Sequence, residues 1–311
     1  MSCSKPSPFN VSSLKATHKT ITLCSEDPFS KYFLNPFDCD THQKLVAFSQ
    51  GVTLETGKIV YAGRKDLNSH TNLYLWDRGD ILKELDLSQE IISLYTSGYE
   101  VLVLLQFEAI LLSDSLEILK KFSTGENSFG VACMTQDTIS IPDISPGTVA
   151  LYKIHNSHSL IVNAHNHRIK ALALSPKGTL LASASVNGTL VRVFRTDKGL
   201  CTKQLRIGVM ESEVEYIAMS HDDKWLAAWC SNGMLYVFDL EGSPRYFSFF
   251  SSYLFSCIIP KVQQIIFCQK NALQVVTSSE CISYEIRKDA LECVSRNSLL
   301  DLSEEWVLME E

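Results

Sequence analysis

Between Ser183 and Gly208 the sequence reads SASVNGTLVRVFRTDKGLCTKQLRIG, a polar and basic set of side chains that could line one pocket. Such a set suits binding, and nothing beside it suggests bond-making. G-x-S-x-G, P-loop and G-x-G-x-x-G patterns are absent, so the sequence gives no ground for an enzyme. His155, His158, His165 and His167 fall at H-x-x-H and H-x-H spacings, which in principle suit zinc. No cysteine or carboxylate lies among them, and a loop between strands collects histidines readily, so no metal and no cofactor is expected. Asp222-Asp223 and Glu211-x-Glu213-x-Glu215 are acidic pairs that turn and strand-edge solvation explains better than acid–base catalysis. Ten cysteines are scattered without a C-x-x-C pair.

These side chains need a scaffold, and the pattern around them is that of short strands. A polar turn at Asn187-Gly188 joins a small-residue strand to the alternating strand Thr189 to Phe194, and a third strand carries Leu205-Arg206-Ile207-Gly208. The unit recurs. Leu174-Ser175 and Met219-Ser220 lie 45 positions apart, as do Asn187-Gly188 and Asn232-Gly233. Each copy reads strand, turn, strand (LLASAS; WLAAWC), turn, strand (TLVRVF; MLYVFDL). Weaker copies follow Pro146-Gly147, cover Thr71 to Asp77 and Val101 to Phe122, and fill the C-terminal end. A four-stranded unit cannot bury both faces alone, so units stack radially and the ring closes. At roughly 40–45 residues per blade the spacing predicts an all-β, seven-bladed β-propeller of WD-repeat type. A linear solenoid or a pair of sandwiches fits the repeat less well. One domain over 1–311 is expected, with 1–19 as a disordered N-terminus and 297–311 as an acidic tail holding Trp306, Val307 and Leu308.

Of 311 residues, 45% are hydrophobic and 20% charged, the composition of a well-buried globular protein. A net charge of −7 disfavours nucleic acid as a partner. Contact with an anionic membrane must then come from a local basic site. The first residues lack an apolar signal core, and no run of about 20 apolar residues occurs. A soluble cytoplasmic monomer with reduced thiols is the expectation.

The ASVNGTLVRVF pair at Ala184 to Phe194, followed by Leu205-Arg206-Ile207-Gly208, resembles the PROPPIN family of phosphoinositide-binding propellers. There an ASxxGTxxRxF strand pair precedes an F/L-R-R-G motif. SHDDKWLAAWCSNGMLYVFDL is similar to the family's next blade, and VYAGRKDLNSHTNLYLWD to its second. The resemblance implies two headgroup pockets on either side of the paired arginines. Arginine suits that task because its planar fork gives one phosphate two charge-assisted hydrogen bonds. Carried over residue by residue, the first pocket consists of His165, Thr189, Arg192 and Arg206. The second loses its arginine to Ile207, its threonine to Met234 and its histidine to Tyr236.

The resemblance also implies a bilayer-dipping loop in the sixth blade. Here only Glu241 to Arg245 separates VFDL from the next apolar run, too short for that role. Tyr246 to Phe250 could stand in for it, although an ordinary strand fits that run about as well. The expected function is docking of phosphatidylinositol 3-phosphate and recruitment of autophagy factors, among them a lipid-transfer partner, to phagophore or endosomal membranes. The bis-phosphorylated lipid is a second candidate ligand. The alternative is a WD-repeat scaffold that has lost lipid binding and works through protein partners alone.

Overall fold

Four consecutive antiparallel strands, stepping outward from a shared axis, make up each complete sheet. The computed structural model describes residues 50–63, 71–77, 80–156, 158–207, 212–241, 253–268, 270–277, 279–287 and 290–298. It also describes the backbone of the strands Val11–Ala16, Ile21–Ser25 and Phe33–Leu34. Those three strands form blade 1. Blades 2 to 7 run over 50–86, 93–123, 133–163, 169–206, 214–258 and 262–298, each with four strands in chain order. The innermost strands touch their neighbours in sequence. Val11–Ala16 meets both Gln50–Thr53 and Val262–Phe267, which closes the ring. The chain is a seven-bladed β-propeller.

The strand Val11–Ala16 falls inside the stretch expected to be disordered, and the last strand, Leu291–Ser298, enters the expected tail by two residues. Trp306 to Leu308 lie outside the described residues. No helix among the described residues is long and apolar enough to cross a membrane.

The two clear repeats occupy equivalent places. Leu190–Arg195 and Met234–Asp239 are the third strands of blades 5 and 6. Their turns close alike, Gly188 N–H donating to the Ser185 carbonyl at 3.1 Å and Gly233 N–H to the Cys230 carbonyl at 2.9 Å. The preceding turns match too. Gly178 N–H meets the Ser175 carbonyl at 2.7 Å, and Asp223 N–H the Ser220 carbonyl at 3.1 Å. Both turn residues have positive φ, 67° and 63°, a region that Asp tolerates better than most side chains.

Alternation along each strand splits its side chains between the two neighbouring blades. In blade 5, Ala182, Ala184, Val191, Val193, Leu205 and Ile207 pack on blade 6. Leu172, Leu181 and Phe194 pack on blade 4. Full burial stabilises each such aliphatic or aromatic side chain by about 1.5–3 kcal/mol, and this packing fixes which face every polar residue takes. The second strands are mostly buried, and Trp225–Cys230 is buried throughout. The outermost strands, such as Ile118–Ser123, are mostly exposed because no further strand covers them.

Candidate anion site between blades 4 and 5

The face of blade 5 that packs on blade 4 turns polar toward its turn-bearing end. Ser183 pairs with Arg192 and Arg192 with Gln204, one row across the second, third and fourth strands. Arg206 pairs with Leu190, which makes it the diagonal neighbour of Arg192 on the same face, roughly 7–8 Å away in a regular pair. Thr189 sits at the entry to the third strand, and its carbonyl accepts the Ile207 N–H at 2.9 Å.

His165 reaches this face from the connection between blades 4 and 5. Its position is set by Gly147, whose carbonyl accepts the N–H groups of both Ala164 and His165, at 3.0 and 2.9 Å. Gly147 has φ of +81°, and a Cβ there would lie 2.0 Å from the His165 carbonyl oxygen. Only glycine fits. The imidazole Nε2 lies 3.0 Å from Ser183 Oγ and 3.2 Å from the Ser183 carbonyl. A carbonyl can only accept, which assigns the proton to Nε2 and leaves Nδ1 as an acceptor.

Burial pushes the His165 pKa down to about 4, the Arg192 charge adds to that shift, and the Ser183 backbone contact opposes it. The imidazole is therefore neutral at pH 7. Arg192 donates from one terminal nitrogen to the Ala164 carbonyl at 2.6 Å, while its Nε is buried without a partner. No carboxylate pairs with Arg192 among the described residues. An arginine held half-buried against a carbonyl, with a spare N–H and no counter-ion, is poised for an anion from outside the chain.

Of the four expected site residues, His165 and Arg192 converge directly, the arginine bonding the residue next to the histidine. Arg206 shares their sheet face, and Thr189 marks the turn beside it. Ser183 was not among the four, although it bonds His165 and stands opposite Arg192 in the sheet. A serine within a small-residue strand carries no local sign of what it will face. Gly208, the last residue of the motif, lies outside the described residues.

The other histidines go elsewhere. His155 faces Asp137 at 3.8 Å, and no group of three or more metal-ligating residues occurs among the described residues. Glu213 and Glu215 both pair with Lys170 at 3.3 Å. Asp222 accepts from Ser220 Oγ at 2.7 Å, as a turn residue does.

No family model matches the chain. SVP1-like protein 2 of Emericella nidulans is 31% identical over 186 residues, 58% of this chain and 59% of that protein. Autophagy-related protein 18e of Arabidopsis thaliana is 30% identical over 199 residues, 61% of this chain and 53% of that one. The chain thus spans just over half the length of these curated relatives. Among solved structures, Hsv2 of Kluyveromyces lactis superposes with a TM-score of 0.79 at 16% identity, over 93% of this chain and 99% of that one. KlAtg21, solved in complex with the coiled-coil of AgAtg16, gives 0.76 at 17% identity, again over 93% and 99%. In sequence over this span, and in fold, the chain resembles the PROPPIN family.

The chain departs from the PROPPIN motif it resembles at Ile207, and the structure shows what stands there. Ile207 is 4% exposed and packs toward blade 6 in one cluster with Tyr236, with Met234 against them. The Tyr236 ring lies 4.9 Å from that of Tyr253. All three replaced positions thus take part in the apolar packing between blades 5 and 6. Met234–Asp239 pairs with Phe255–Ile258 as the third and fourth strands of blade 6. Tyr246 to Phe250, like the residues from 242 before them, lie outside the described residues.

Proposed function

We propose that this propeller binds the headgroup of a 3-phosphorylated phosphatidylinositol at the blade 4–blade 5 face and thereby recruits autophagy factors to a forming autophagosomal membrane. The observation that carries the reading is Arg192, a half-buried cation beside a neutral histidine with no acid to neutralise it among the described residues. A phosphate accepts from its fork, from the Arg206 fork on the same face, and from the Thr189 hydroxyl. Neutral His165 contributes a polar edge without a second buried charge. The net charge of −7 opposes approach to an anionic bilayer, so a built site, not bulk attraction, supplies the affinity.

One headgroup per chain is the expected stoichiometry. Ile207, Met234 and Tyr236 offer aliphatic and aromatic packing where relatives resembling this chain would place polar groups. Peripheral attachment to phagophore or endosomal membranes follows from such a site, and one pocket calls for help from protein contacts.

A specific observation favours a protein-binding role as well. Ile81 and Leu82 on the outermost strand of blade 2, and Ile118 and Leu119 on that of blade 3, are all at least half exposed. Adjacent outer strands with paired apolar side chains are a surface for a partner helix or strand. That KlAtg21 was solved with a coiled-coil agrees with a helical partner. Flotation with liposomes carrying phosphatidylinositol 3-phosphate, against liposomes with unphosphorylated phosphatidylinositol, tests the lipid reading. Equal recovery from both would leave the scaffold reading.

A further inference from the structure

In every complete blade the chain enters on the innermost strand and runs outward in antiparallel steps. The turn between the second and third strands and the connection to the next blade therefore lie at one end of the ring, and the other two turns at the opposite end. Thr189, His165 and the last residue of the strand Cys201–Arg206 all lie at the end that holds the connections between blades. Three large apolar side chains are exposed at that same end. Phe107 is on the turn between the second and third strands of blade 3, Ile144 on the same turn of blade 4, and Phe129 on the connection between these blades. Their exposures are 56%, 68% and 47%. The three stand on one continuous ledge. The Phe107 carbonyl accepts the Thr124 N–H at 2.9 Å, and the Gln106 carbonyl the Asn127 N–H at 2.8 Å. A Cβ on Gly125 would lie 2.9 Å from the Asp143 carbonyl oxygen and 3.1 Å from that of Ile144. The segment 124–132, which carries Phe129, thus touches both turns. The Ile144 turn also holds Gly147, whose carbonyl accepts from Ala164 and His165, so a run of backbone contacts joins Phe107 to the candidate anion site.

The cations on this ledge are already paired. The Arg168 guanidinium lies 5.1 Å and the Lys170 ammonium 4.3 Å from the Phe129 ring centroid. Arg168 pairs with Glu126 at 3.5 Å, and Lys170 with Glu213 and Glu215 at 3.3 Å. What the ledge presents is apolar surface edged by balanced charge, which suits the boundary between lipid headgroups and acyl chains. A headgroup phosphate bound beside it is tethered to acyl chains in a bilayer, so filling the anion site brings this end of the ring to the membrane. We propose that Phe107, Phe129 and Ile144 insert between the headgroups of the bilayer that carries the bound lipid. The inference rests on the headgroup reading for its occupant. It adds a second, apolar component to membrane affinity, which a chain of net charge −7 needs because bulk attraction opposes its approach.

The test uses the full chain in two measurements. One is flotation with phosphatidylcholine vesicles carrying phosphatidylinositol 3-phosphate, and the other is calorimetry with the soluble phosphorylated inositol headgroup. Phe107→Ser combined with Ile144→Ser should weaken vesicle binding about tenfold or more, through loss of two inserted apolar side chains, and leave soluble-headgroup affinity unchanged. Ile144→Trp, which adds apolar area, should strengthen vesicle binding. Tyr99 is 55% exposed on a turn at the opposite end of blade 3, and Tyr99→Ser should leave both measurements at wild-type values. Wild-type flotation of the double variant would overturn the proposal and leave the ledge to a protein partner. So would a parallel loss of soluble-headgroup affinity, which would place the effect in the anion site. Failure of the headgroup reading has its own signature: the wild type would float equally with and without the 3-phosphate, and the double variant would still lose that recovery. Wild type recovered with neither vesicle would overturn both.

Discussion

Arg206 and Ile207 are neighbours in sequence and face different blades. Arg206 shares a sheet face with Arg192 and Ser183, looking toward blade 4, while Ile207 is buried toward blade 6 in the cluster that also holds Tyr236. Consecutive side chains of a strand alternate, so two adjacent arginines would face two different blades. An isoleucine in place of the second changes the face toward blade 6 and leaves the face toward blade 4 as it is.

Arg206→Ala is expected to weaken headgroup binding about ten- to more than a hundredfold, the value of a charge-assisted pair of roughly 1.5–3 kcal/mol. Arg206→Lys should recover only part of this, since an ammonium cannot reproduce the planar fork. Liposome co-flotation, with circular dichroism to confirm folding, reads the difference. Undiminished recovery of the alanine variant would remove Arg206 from the site.

Ile207→Arg alone should not restore a second site. The new guanidinium would enter a cluster built with Tyr236 and Met234, at a cost on the order of 3 kcal/mol for an uncompensated buried charge. Calorimetry with a soluble headgroup should give one site for wild type and variant alike, with a lower melting temperature for the variant. Two sites in the wild type would mean that other residues have rebuilt the second pocket.

His165 should stay neutral through the physiological range. An unfolded imidazole takes its proton near pH 6.5, whereas burial delays this to about pH 4 in the fold. The stability contributed by the neutral ring is complete above about pH 6.5 and is lost as the pH falls toward 4. NMR titration of the His165 ring should show a midpoint near 4, rising when a phosphate anion binds beside it. A midpoint near 6.5 in the free protein would argue against a desolvated ring.

Gly147→Ala should disrupt the site from a distance. The added Cβ would collide with the His165 carbonyl, and φ of +81° alone costs a non-glycine residue about 1–2 kcal/mol. Gly57 has nearly the same φ, +82°, with nothing within 4 Å of the corresponding Cβ. Gly57→Ala should therefore lose only the backbone cost and keep headgroup affinity. Equal effects of the two substitutions on binding would show that the Gly147–His165 contact does not position the ring.

The blades were legible in the sequence, as were the strands that carry Arg192 and Arg206. Alternation and turn chemistry are local, so the 45-residue spacing of Asn187-Gly188 and Asn232-Gly233 placed both third strands before any contact was known. Tertiary structure decided what those residues meet. Ser183 joins the site because ring packing turns its face toward the connection that carries His165, and Gly147 fixes that connection from another blade. Phe255–Ile258 is the outer strand of blade 6 because a strand is defined by the ladder it pairs with. Period-two patterning tells which residues share a face, but only closure of the ring tells which blade covers that face.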